Sequence, residues 1–434
     1  MIVLSLQSGT SADGIDVAVV EFTLAPEVEE PGSDVSRPSA LPAVMLRVLH
    51  AATLDWAPEL RERVLAASAG EPLSAGGFCE LDTRLGQAFA SAAAAGADAA
   101  GAAPDLVVSH GQTLFHWVDG GRARGTLQLG EPAWIAERVG APVLSHLRAA
   151  DIAAGGEGAP LMALFDRAWL GAAAAAADRA IATVNLGGIA NVQVVRPSGE
   201  VVAFDSGPGN ALLDAVVTRA TGGVTGFDEG GRLAAAGRVD DRLLGELLRH
   251  PYFVATAPKT TGRETFDLGV VDRALESTGA RARDGSPAAT SLPAPSLEDL
   301  CATLTEFTAR TVVDAIPAAD APSALIVSGG GALNPALLGR LAALAAERGI
   351  GVESSAVRGI DPAFKESLMF ALVGFLSWHG VRVRLSDRGS GEPRIVGRFT
   401  PGPRPLRLPS PLAGVASVTI TTSTTGNDFG GTPR

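Results

Sequence analysis

Lysine is nearly missing from this chain. Only Lys259 and Lys365 occur among 434 residues, and neither follows a glycine. The Walker A phosphate loop needs a Gly-Lys pair, so that device is excluded. The other basic residues are arginines, and the abundance of alanine and glycine beside them reflects genomic base composition. Cysteine is equally scarce. Cys79 and Cys301 stand without ligand-like spacing, which excludes a disulfide framework and a structural zinc site and makes a reducing cytosol the expected compartment. Long apolar runs are missing too. The stretch from Leu368 to Trp378 is too short to span a bilayer, and the N-terminal run is too short for a signal peptide and has no basic segment ahead of it. The expectation is a cytoplasmic protein with no membrane partner.

What is present supports a globular chain of two domains. The length is ample for two cores, and 46% hydrophobic against 19% charged residues excludes disorder as the main state. The formal net charge of −12 argues against nucleic acid as a partner. It does not forbid a nucleotide, which backbone N–H groups can bind locally.

One stretch organises the rest. A short apolar run from Met1 to Leu6 leads into Gln7, Ser8 and then Gly9, Thr10, Ser11, Ala12, Asp13, Gly14, Ile15 and Asp16, and a second apolar run follows from Val17 to Phe22. This reads as a β-hairpin at the edge of a sheet. Two glycines let the turn approach a ligand closely, the hydroxyls and N–H groups are donors, and Asp13 and Asp16 are carboxylates. Such a turn suits a phosphate and its magnesium ion. An ordinary polar hairpin would use similar residues. The pattern returns at Ala180–Val195, where Asn185, Gly187 and Gly188 lie between two apolar runs, so an internal duplication is expected. A third glycine-rich turn, Gly329, Gly330 and Gly331 with Asn334, lies between a strand and a helix.

Three further clusters carry side-chain chemistry. Ser109, His110, Gly111, Gln112 and Thr113 follow a short strand at Leu106–Val108, where open α/β sheets place ligands. Asp151 heads a loop with Gly155, Gly156 and Gly158. It is the candidate general base, with Glu157 a second acid, and a glycine hinge with Asp151 as a helix cap is the alternative. Asp205, Gly207 and Asn210 sit between a strand and a helix. Glu366 stands in the first turn of an apolar helix and joins the substrate candidates, although an acid there is more often a cap.

In order, the segments GTSxDGxD, SHGQT, DxAAGGxGAPL, NxGGIAN, FDxGPGN, PKxTGRE and GGGxxNP resemble the anhydro-N-acetylmuramic acid kinases from residue 2 to about 404. The resemblance implies a two-domain α/β ATPase of the actin, hexokinase and heat-shock type, with nucleotide in the cleft between the domains. It implies ATP and Mg2+ and an amino-sugar substrate, the 1,6-anhydro sugar, opened by water and phosphorylated to the 6-phosphate in cell-wall recycling. It makes Asp151 the base that activates the water. The metal ligands stay unassigned, and a homodimer is left open. Gln7, Glu157, His146 and Ser206 depart from the family's usual Met, Gln, Asp and Thr. Two alternatives stand: a kinase for an ordinary sugar hydroxyl, and a non-enzymatic nucleotide sensor. The expected division is residues 1–130 with about 367–400 as one domain, 131–366 as the other, and a disordered tail at 401–434.

Overall fold

The structure, a computed structural model, describes residues 1–9, 11–25, 41–255, 259–262, 265–279, 294–385 and 392–421. The chain forms two compact units: Met1–Trp169 with Phe364–Pro433, and Leu170–Ala363. The first contains strands β1 (Ile2–Ser8), β2 (Ile15–Leu24), β3 (Ala43–Leu54), β4 (Leu106–Asp119), β5 (Arg122–Leu129) and β6 (Val143–Ser145). The second contains β7 (Ile181–Leu186), β8 (Ile189–Val195), β9 (Val201–Pro208), β10 (Ala324–Ser328) and β11 (Gly351–Ser354). Strands β12 (Arg398–Thr400) and β13 (Ser417–Thr421) return to the first.

The first sheet runs β12-β6-β4-β1-β2-β3-β13, with β5 paired to β4. The second runs β11-β10-β7-β8-β9. In the first, β1, β2 and β3 are mutually antiparallel, while β4 lies parallel to β1 and β6 parallel to β4. In the second, β7, β8 and β9 are antiparallel, while β10 lies parallel to β7 and β11 parallel to β10. Five strands thus repeat in the same order and sense, which is the expected duplication. Strand β1 is mostly apolar, with Ser5 inside it and Gln7 and Ser8 at its end, and it is buried along most of its length, as a central strand covered on both faces should be.

Helices α1 (Pro58–Ser68), α2 (Ala75–Ala100), α3 (Pro132–Val139) and α4 (Leu147–Ala153) belong to the first unit, and α5 (Met162–Ala177) carries the chain past the division. The second unit holds α6 (Ala211–Ala220), α7 (Arg232–Ala236), α8 (Asp241–Leu248), α9 (Leu268–Ser277), α10 (Leu297–Ala315) and α11 (Pro335–Ala346). The first unit resumes with α12 (Lys365–Trp378), apolar nearly all round and almost wholly buried. Helix α2 packs on Leu4, Leu6, Val17, Val19 and Val107, while Gly374 of α12 meets Val3, Leu106 and Val108. Successive strand residues point to opposite faces, so the sheet is sandwiched between these helices.

Several expectations need correction. The first hairpin is at the centre of its sheet, not an edge, because β4 pairs with the other side of β1. The first unit runs on to Trp169 rather than ending at 130, because β6 pairs with β4 and holds this stretch to the first sheet, while its return at Phe364 lies close to the expected one near 367. The tail is ordered as far as Thr421: β13 pairs in parallel with β3 over five residues. Residues 422–434 lie outside the described residues, as do Thr10, residues 26–40 and residues 280–293. Helices α7 and α8 are separated at Gly237, whose backbone lies against that of Glu298.

A Cβ at Gly374 would collide with Val108. Gly374→Val is therefore expected to lower stability by about 1–3 kcal/mol, as overpacking does. Gly171→Ala, with nothing within 4 Å of the added Cβ, should gain about 0.5–1 kcal/mol through helix propensity. Urea unfolding of both variants checks the contrast. A neutral Gly374→Val would contradict the close packing.

Candidate active site

The first hairpin closes where Gln7 pairs with Asp16, and its turn is tightened by Ala12 N–H donating to the Gly9 carbonyl at 3.0 Å. Arg61 Nε donates to the Ala12 carbonyl at 2.8 Å and so braces the turn from outside. The two carboxylates differ. Asp13 is largely exposed, with Arg61 at 3.4 Å. Asp16 accepts from Thr53 Oγ1 at 2.6 Å and from Gln7 Nε2 at 3.1 Å, and burial raises its pKa. Gly14 backs against Thr53 and Leu54, whereas Gly9 has open space beside it, with only Ser11 Oγ near. Ile15 is the first residue of β2 and is buried.

The Ser109–Thr113 motif lies inside β4 rather than after it, at a register shift between Leu6 and Ser8 of β1. Gln112 Nε2 donates to the Gly9 carbonyl at 3.1 Å, joining motif and turn, and among the described residues neither Gln112 Oε1 nor Ser109 Oγ has a hydrogen-bond partner. Thr113 Oγ1 accepts from Gln128 of β5.

His110 is buried, with its ring 4.8 Å from that of Phe370. Arg148 Nε donates to its Nε2 at 2.8 Å, so the ring proton must reside on Nδ1, which donates to the Gly111 carbonyl at 3.0 Å. Burial and the Arg148 charge push its pKa down to about 3.

Arg148 also donates from Nη1 to the Gly158 carbonyl at 2.7 Å, and Gly158 N–H donates to Asp151 Oδ2 at 2.8 Å. One guanidinium therefore joins the β4 motif to the acidic loop. Asp151 is only 4% exposed and sits in the last turn of α4, so it is neither loop nor cap. The loop begins at Ala154 and folds back at Gly155, and its Gly156 N–H donates to the Asp151 carbonyl. A Cβ at Gly156 would strike the Asp151 carboxylate, so glycine is required there. Glu157 points elsewhere: its Oε2 accepts from Ala123 N–H at 2.6 Å at the β4–β5 turn. Glu366, at the start of α12, is partly buried, and burial followed by the nearby Asp16 raises its pKa against the pull of Arg148 and Lys365.

In the second unit three turns meet around Leu186. Asn210 N–H donates to the Gly187 carbonyl at 2.8 Å, Gly209 N–H donates to that of Gly188, and Asn210 Nδ2 donates to that of Leu186. A Cβ on Gly329 would lie 2.8 Å from the Leu186 carbonyl and would also crowd Asn185, and one on Gly331 would lie 2.6 Å from Leu186 Cβ. Gly330 has open space beside it. Asn334 caps α11 by accepting from Leu337 N–H at 3.2 Å. Asp205 anchors a polar chain: it accepts from Asn191 Nδ2 at 2.6 Å and Thr261 N–H at 2.9 Å, while Gln193 donates to Asn191 and Thr183 to Gln193. Gly207 passes beside Phe253.

The first unit thus brings together the first hairpin, Ser109–Thr113, Asp151, Gly155, Gly156 and Glu366. The second brings together Asn185, Gly187, Gly188, Asp205, Gly207, Asn210, Gly329–Gly331 and Asn334. Sequence reasoning gave no role to Arg148, Arg61 or Thr53. Arg148 lies three residues before Asp151 on the same helix, just ahead of the motif, a spacing that could have flagged it. Thr53 sits on β3, a strand that carried no recognised signal.

His110 gives a pH prediction. Its folded pKa is lowered, so below about 6.5 the unfolded chain takes a proton that the folded one refuses. Stability is then lost as pH falls from about 6.5 toward 3, with a slope of up to about 1.4 kcal/mol per pH unit from this group. His110→Asn should flatten that acid limb in denaturant titrations at stepped pH. An unchanged slope would contradict the buried neutral ring.

The family model described as anhydro-N-acetylmuramic acid kinase matches residues 1–402. The chain is 43% identical over 413 residues to the protein of that name from Streptomyces coelicolor, covering 95% of this chain and 96% of the relative. It is 40% identical over 416 residues to that from Rhodococcus erythropolis, covering 94% and 96%. Among solved structures, the ROK hexokinase from Thermus thermophilus is 16% identical over 87% of this chain and 99% of its own, with a TM-score of 0.35. On the family model and on relatives matched along almost their full length, this chain belongs to the anhydro-N-acetylmuramic acid kinase family.

Proposed function

We propose that this protein is an ATP-dependent kinase of 1,6-anhydro-N-acetylmuramic acid, yielding N-acetylmuramic acid 6-phosphate and ADP in the recycling of cell wall. The observation that carries the reading is Asp151: a buried carboxylate that accepts from the Gly158 N–H, backed by a glycine where a side chain would displace it. Such a group can take a proton from a water bound beside it. The water oxygen bonds to the anomeric carbon while the bond from that carbon to the bridging 6-oxygen breaks, and the water's proton passes to Asp151. The freed 6-oxygen accepts the γ-phosphoryl group and ADP leaves.

His110, being neutral, orients through hydrogen bonds rather than charge, Gly156 makes room for the Asp151 carboxylate, and Gly155 and Glu366 are read as lining the sugar. Within the first unit the glycine-rich turn at 9–16, and within the second those at 185–188 and 329–334, are each read as backbone-donor surfaces of the kind that suits phosphate. Among the described residues no group of three or more His, Cys, Asp or Glu could hold a metal ion. Magnesium carried on phosphates needs only one or two carboxylates. Asp13, exposed, fits that need on the first hairpin, whereas Asp16 accepts from Thr53 and Gln7 and its burial disfavours the charge a metal ligand needs. Magnesium would there neutralise charge on the transferring phosphoryl group. No helix among the described residues is long and apolar enough to cross a membrane, and we place the reaction in the cytoplasm.

A phosphorylation assay over anhydro and ordinary amino sugars tests the substrate. Turnover confined to ordinary hydroxyls would refute it. Asp151→Asn should cut kcat by about 10²–10⁴-fold with ATP affinity unchanged. Glu157→Gln should be mild, because a glutamine oxygen can still accept from Ala123 N–H. An inactive Glu157→Gln beside an active Asp151→Asn would move the base six residues along the loop.

A further inference from the structure

Lys365 and Asp166 form an ion pair inside the first unit. Nζ lies 2.8 Å from Oδ1 and 3.0 Å from Oδ2, with the side chains 2% and 0% exposed. The Trp169 ring lies 5.7 Å from Nζ, and Phe165 packs against Trp169. Of thirty-five basic side chains only two are lysines, and this is one of them. A compact ammonium can sit where the wide planar fork of a guanidinium cannot. Burying both charges costs about as much as their attraction returns, so stability does not explain the pair.

Its place in the chain does. The chain leaves the first unit after Trp169 and re-enters at Phe364. Asp166 stands three residues before the exit, in the helix that follows the Asp151 loop, and Lys365 one residue after the re-entry. Helix α12 begins at that point with no side-chain cap on its first turn. The next residue is Glu366, whose charge interacts with Arg148 and Asp16.

We propose that the Lys365–Asp166 pair is a positioning device: it clamps the uncapped first turn of α12 to α5 and so sets Glu366 against Arg148 and the Asp151 loop. The proposal rests on the reading of Asp151 and Glu366 as site residues. Removing one charge leaves the other buried and unpaired, while removing both need not destabilise. Loss of positioning and loss of stability can therefore be separated.

The test compares Lys365→Met, Asp166→Leu, the double variant and Lys365→Arg with the parent in melting temperature, kcat, KM for sugar and ATP, and amide hydrogen exchange at residues 365–368. The single variants should melt lower. The double variant should recover most of the lost melting temperature, yet keep kcat at least about tenfold below the parent, since small misplacements near a reaction cost that much. Exchange in the first turn of α12 should be faster and KM for ATP unchanged. A double variant that regains kcat and exchange protection along with stability overturns the proposal. Should the double variant not fold, Lys365→Arg decides: lowered kcat with faster exchange supports the clamp, and parental values of both overturn it. Should the parent not turn over the anhydro sugar, the functional reading fails on its own, and the exchange data still decide whether the pair holds the turn.

Discussion

A half-buried guanidinium keeps its proton and needs acceptors for its donors. In the first unit Arg148 meets that need with one ring nitrogen of His110 and the carbonyl of Gly158. Burial lowers its pKa and the charges of Glu366 and Asp151 oppose that shift. Much of the site follows from this placement. His110 must keep Nε2 unprotonated, which fixes its tautomer and excludes acid catalysis by it near neutral pH. The Gly158 carbonyl is drawn to Arg148, which leaves the N–H of the same residue aimed at Asp151. The acidic loop and the β4 motif, far apart in sequence, are thereby held in one geometry.

The duplicated sheet explains why such sites stand where they do. In both units a central hairpin is flanked by a parallel strand, so the turn after the first strand and the end of the neighbouring parallel strand lie at the same end of the sheet. The first unit fills that end with the Gly9–Asp16 turn, Ser109–Thr113 and the loop that follows Asp151. The second fills it with glycine turns pressed around Leu186 and with the polar chain ending at Asp205. The two copies have diverged in chemistry while keeping strand order. One carries titratable side chains, the other backbone surfaces.

Both hairpins were legible in the sequence because strand, turn and return strand are local, and the glycines and apolar runs that make them are adjacent. Asp151 was legible through its motif. What decided the rest was long-range pairing. The division at Trp169 depends on β6 joining β4, and the order of the tail depends on β13 finding β3 more than 360 residues away. Strand β3 itself has Arg47 and His50 within it and no clean alternation, since its neighbours on both sides hold it in the sheet. The break at Gly237 is set by contact with Glu298, which no local propensity reveals. Arg148 was visible as a residue but not as a hub, because its partners His110 and Gly158 lie on different elements.

The central claim is that a carboxylate in the first unit activates water against a strained sugar while the released oxygen takes phosphate. The most direct measurement is to run the reaction in water enriched in oxygen-18 and to locate the label in the product by mass spectrometry and phosphorus NMR. The account predicts one labelled oxygen on the anomeric carbon and none in the phosphate or its bridge to carbon 6. A phosphorylated product without label at the anomeric carbon would contradict it, because the ring would then have been opened, or left closed, without the water that Asp151 is there to activate.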